Sequence, residues 1–87
     1  MEDKNKIQEE YNLLKKYCTC LEEMVEENVF KAKEFRDKAV ENEDKPVTVR
    51  NCLTAAERCE NRAEALRNVL ALADNELLHY MEILSID

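Results

Sequence analysis

Apolar residues in the first half of the chain fall at Ile7, Tyr11, Leu14, Cys18, Leu21, Val25, Ala32, Phe35 and Ala39, with Asn28 the one polar member of the series. Their spacing alternates four and three without a slip, the mark of a helix that buries one seam along its length. The pattern stops over residues 42–48, where Asn-Glu-Asp-Lys-Pro-Val-Thr holds the only proline. Proline pushes the residue before it, Lys45, out of the α region, so the turn is placed there. The series restarts at Val49 and runs through Cys52, Ala56, Cys59, Ala63, Leu66, Leu70, Ala73, Leu77, Tyr80 and Leu84. Thr48 is the natural N-cap, with Asp44 ahead of Pro46 as the competing start. The expected fold is all-α: one helical-hairpin domain over 1–87, coiled-coil-like, with helix 1 at about 3–41 and helix 2 at about 49–84. Each helix would reach ~55 Å at 1.5 Å per residue, and the short link makes them antiparallel neighbours.

Each helix carries a second apolar series on another face. In helix 1 it is Leu13, Tyr17, Cys20 and Met24; in helix 2 it is Ala65, Val69 and Leu72, then Glu76 and His79, then Ile83 and Ile86. With the turn near residue 45, facing residues sum to about 90, and both extra series fall at the open end of the hairpin. Leaving those side chains in water would forgo on the order of 1.5–3 kcal/mol for each of the larger ones. The simplest resolution is a second hairpin packed there, a homodimer forming a four-helix bundle. Residues 26–62 are expected to hold only the narrow primary seam and to project as a slim arm. A helix 1 that breaks and folds back is the alternative, and no Gly or Pro interrupts it to allow that.

Composition narrows the chemistry. With no Gly, the chain lacks the usual means of building a phosphate-cradling loop or a dinucleotide fingerprint. A net charge of −7 argues against direct binding to nucleic acid or to an anionic membrane, and points to protein partners. The polar N-terminal stretch has no apolar core of a signal peptide, and no run reaches the ~18–20 residues of a transmembrane helix; a cytoplasmic protein with reduced thiols is expected.

Four cysteines, at 18, 20, 52 and 59, suggest zinc or disulfides, but helix geometry separates them. Cys18 and Cys20 point to opposed faces, and Cys52 and Cys59 lie two turns apart, ~10 Å along the axis. Cys18, Cys52 and Cys59 are read as small core residues. Glu76 and His79 have the Glu-x-x-His spacing of di-metal bundles, but lie off the main seam. No catalytic residue, cofactor or metal ligand is assigned.

Glu22, Glu23, Glu26 and Glu27 point away from the primary seam and place four negative charges within ~7–8 Å of helix. Such a face suits a basic surface, including the nucleic-acid channel of an enzyme. In habit (small, acidic, helical, without an enzymatic motif) the chain resembles the small phage and mobile-element proteins that inhibit host nucleases, anti-CRISPR proteins among them. The resemblance covers composition and shape, and no motif carries it. The sequence thus suggests a non-enzymatic, homodimeric inhibitor or adaptor. Dimerisation falls to Leu13, Tyr17, Cys20, Met24, Ala65, Val69, Leu72, Ile83 and Ile86, and partner contact to the four glutamates. A structural coiled-coil subunit, or a metal protein using thiols or Glu76 and His79, are the rival readings.

Overall fold

The computed structural model describes residues 2–85. Two helices, α1 (Glu2–Glu41) and α2 (Pro46–Leu84), fold as a hairpin and pack on each other. α1 is a single unbroken helix of 40 residues, so there is no folded-back third helix among the described residues.

The turn is tighter than the sequence suggests. Asn42 ends α1 by donating both its backbone N–H and its side-chain Nδ2 to the Lys38 carbonyl, at 3.1 and 2.8 Å. The Lys45 N–H then donates to the Asn42 carbonyl at 2.8 Å, and the Val49 N–H to the Lys45 carbonyl at 3.0 Å. Pro46 therefore sits at the first helical position, and the N-cap is Lys45, with φ −118° and ψ 88°. α2 begins three residues ahead of the expected Val49, and Thr48 lies inside its first turn. The physical reason is that proline's fixed φ suits that position and its missing N–H would be unpaired there anyway.

Every described member of the two primary series is buried or half-buried, from Ile7 to Ala39 and from Val49 to Leu84. The seam is built of small residues toward the turn, where Phe35 packs on Ala32, Ala56 and Cys59. Ala56 has no exposed surface at all. Small side chains let the helix axes approach closely, which is how a narrow seam still excludes water. Asn28, the polar member, is half-buried and donates its Nδ2 to the Met24 carbonyl at 2.8 Å, so its amide is satisfied within its own helix.

Pairs across the hairpin fix the register. The Tyr80 hydroxyl donates to Glu10 at 3.0 Å, Cys18 lies beside Asp74, and Lys31 lies beside Cys59 and Arg62. Arg36 donates to Glu60 through two nitrogens, Nε at 3.1 Å. At the far end, Ser85 takes the left-handed conformation (φ 56°) that glycine usually supplies, and its N–H donates to the Glu82 carbonyl at 3.2 Å.

One expectation needs correction. The half of the hairpin nearest the turn is not apolar only along its seam: Val29, Phe30, Val40, Val47 and Leu53 are all exposed there. They belong to no continuous series, so counting fours and threes passes over them.

Candidate functional site

If the seam positions of each helix are called a and d, two flanks remain, e and g. In an antiparallel pair e lies across from e and g from g. Arg36 and Glu60, both at e, form their ion pair on one side; Lys31 and Arg62, both at g, are neighbours on the other. Tyr17, Met24, Val69 and Ile83 also occupy g positions, and Leu13, Cys20, Ala65 and Leu72 the adjoining c positions. The second apolar series of both helices therefore share one side of the hairpin.

On that side the side chains stand in solvent. Leu13 is 66% exposed, Tyr17 51%, Leu72 72% and Ile83 50%; Met24, Val69, Cys20 and Ala65 are exposed as well. Ile86, the remaining member expected at the interface, lies outside the described residues. Glu76 and His79 interrupt the face and are exposed. The opposite flank at the same level is polar, with Lys15, Glu22, Arg67 and Asp74 at its e positions.

The four glutamates on the outer side of α1 are exposed, but they are not equivalent. Glu27 is held by Lys31 at 2.9 Å, which lowers its carboxyl below the usual range and raises the lysine. Glu22 sits near Cys18, on the e side. Glu22, Glu23 and Glu26 have no ion pair among the described residues. Of the four carboxylates, one is thus neutralised by a neighbouring cation and three are not.

Cys18, Cys52 and Cys59 are buried and Cys20 is exposed. Burial pushes the Cys18 thiol up first, and the neighbouring Asp74 and Glu22 carboxylates push it further. No group of three His, Cys, Asp or Glu residues converges on a point that could hold a metal ion among the described residues. No helix among them is long and apolar enough to cross a membrane.

Near the turn, Ala39, Val40, Val49 and Leu53 line a shallow apolar cleft edged by Arg36 and Glu43. Sequence periodicity did not reveal it, because Val40 and Leu53 meet only through the register of the two helices. No family model, curated protein or solved structure matches the chain.

Proposed function

We propose that this chain is a non-enzymatic interaction protein that self-associates through the apolar face at the open end of the hairpin. Two hairpins form a four-helix bundle there and present acidic outer surfaces, with Glu22, Glu23 and Glu26 foremost, to a protein partner. The observation that carries this reading is the run of large exposed apolar side chains on one side of both helices: Leu13, Tyr17 and Met24 on α1, Val69, Leu72 and Ile83 on α2.

Surface area supports it. The chain exposes 6829 Å², whereas a compact monomer of 10.2 kDa would expose about 5,300 Å². The difference, ~1,500 Å², exceeds the ~800 Å² per partner that a stable interface covers. Part of that excess belongs to the rod shape, and large apolar side chains are exposed toward the turn as well, but Leu13, Tyr17, Met24, Val69, Leu72 and Ile83 lie together on one side of the open end. Large apolar side chains gathered on one side, even with Glu76 and His79 among them, are what soluble monomers tend to avoid.

The test is the mass of the untagged protein in solution. Native mass spectrometry across micromolar concentrations is expected to give twice 10.2 kDa for the unmodified chain. The double variant Val69→Glu with Leu72→Glu is expected at the monomer mass with its helix content intact, since both positions are exposed in the single hairpin. A double variant that stays dimeric would refute this interface. A ladder of larger species would instead favour a structural coiled-coil subunit.

A further inference from the structure

We infer that the flank of the hairpin carrying Lys31, Lys38, Arg58 and Arg62 is a docking surface for a short acidic segment of another protein. The inference stands apart from the self-association proposed above, because it uses none of the open-end apolar side chains.

The register of the two helices gathers these cations. Lys31 and Lys38 occupy successive g positions of α1, Arg62 a g position of α2, and Arg58 the c position one turn before it. Lys31 lies close to Arg62. A shallow cleft is lined by Lys31, Phe35, Ala55, Arg58, Cys59 and Arg62, and a second one, sharing Lys31 and Phe35, extends it to Lys38. Half-buried Phe35 and Ala55 give the cleft an apolar floor, and all four cations are exposed around it.

The hairpin does not compensate this charge. On the other flank, the residues that meet across the helices are of opposite sign, Arg36 and Glu60. On this flank they are of like sign, Lys31 and Arg62. Arg58 and Arg62 are four residues apart, a spacing at which like charges repel on a helix. Glu27 pairs with Lys31, but Lys38, Arg58 and Arg62 make no ion pair among the described residues, and Glu34 lines the second cleft without pairing. With 20 acidic residues to 13 basic ones, the chain has carboxylates enough to match every cation. Here it keeps a cluster largely without them, and two guanidinium groups one turn apart offer forked donors that suit carboxylates from outside.

The extent of the patch selects the partner. From Lys31 to Lys38 it spans about 10 Å of helix. Glu27 and Glu41, both exposed, stand beyond its two ends at c positions. A nucleic-acid strand, charged along its whole length, would run past the patch onto those carboxylates, in a chain of net charge −7. A peptide segment with a few carboxylates and an apolar side chain for the Phe35 floor matches both the length and the chemistry.

The test is an amide NMR titration of the isotope-labelled full chain with a hexaglutamate peptide, and separately with hexathymidylate. Hexaglutamate is expected to move the resonances of Lys31, Phe35, Ala55, Arg58 and Arg62, with an effect that fades as salt is raised. The double variant Arg58→Gln with Arg62→Gln is expected to bind the peptide roughly tenfold more weakly, through the loss of two exposed ion pairs. Both positions are exposed, so its helix content should match the unmodified chain. Lys38→Gln, at the other end of the patch, is expected to weaken binding less and gives a second, independent reading. Absent shifts, or shifts spread evenly over the molecule, would overturn the inference. So would tighter binding of hexathymidylate at the same residues, which would make the occupant a phosphate strand. Movement of these resonances on dilution without peptide would also overturn it, by showing that a second copy already covers the patch.

Discussion

Four cysteines in one small chain have two different chemical fates, and the helical period decides which. Cys18, Cys52 and Cys59 fall on seam positions and are buried; Cys20, two residues from Cys18, is turned to the opposite side and is exposed. Only a thiolate is nucleophilic, and burial among apolar atoms beside Asp74 and Glu22 opposes its formation at Cys18. Alkylation of the folded protein at mildly alkaline pH, followed by intact mass, is therefore expected to stop at one modification per chain. Peptide mapping should place it at Cys20, and the other three should react only after denaturation. Rising protein concentration should slow the modification, because the proposed interface covers Cys20. Rapid modification of Cys18 in the folded state would contradict the placement of the seam. These fates are legible in the sequence, since each requires only counting by 3.6. Pairing of Glu27 with Lys31 is partly legible too, as an i, i+4 contact. The Arg36–Glu60 pair is not: it joins residues 24 apart, and only the register of the folded hairpin brings them together.

At the scale of the elements, the two long helices and their shared seam follow directly from the repeat, because some twenty positions all report the same constraint. The turn does not, because its geometry rests on one residue. Pro46 fits the first helical position, and this moves the N-cap from Thr48 to Lys45, a residue without a side-chain oxygen to accept a bond from the first turn. The cap makes no side-chain hydrogen bond, and no acidic residue lies in the first turn of α2. A lysine there also places a cation at the positive end of the helix dipole. Lys45→Asp is accordingly expected to stabilise the hairpin by about 1 kcal/mol, read as a higher urea midpoint at unchanged slope. Lys45 already occupies the N-cap position, its carbonyl accepting from the Val49 N–H at 3.0 Å. Loss of stability in this variant would mean that the lysine makes a contact the turn depends on.

As a whole molecule, the hairpin is a rod of 67 × 19 × 14 Å with a radius of gyration of 19.1 Å, against about 12 Å for a compact domain of the same length. A rod buries little. Its buried residues are mostly Ala and Cys, and among the described residues no large side chain is fully buried. Chain entropy must still be overcome for every ordered residue, at roughly 1–2 kcal/mol of backbone each. A second copy would supply the missing apolar burial, using the side chains that the single hairpin leaves in water. Folding and association should therefore be coupled. For an equilibrium between a folded dimer and two unfolded chains, apparent stability falls by about 1.4 kcal/mol for each tenfold dilution. Thermal or urea unfolding followed by circular dichroism over a hundredfold range of concentration is expected to show this trend in the unmodified chain. The double variant Val69→Glu with Leu72→Glu should unfold at a lower midpoint that does not move with concentration. If the unmodified chain also unfolds at a fixed midpoint, its narrow seam of small residues is sufficient alone. The apolar face would then be free to meet a different protein, and the four-helix bundle would have to be abandoned.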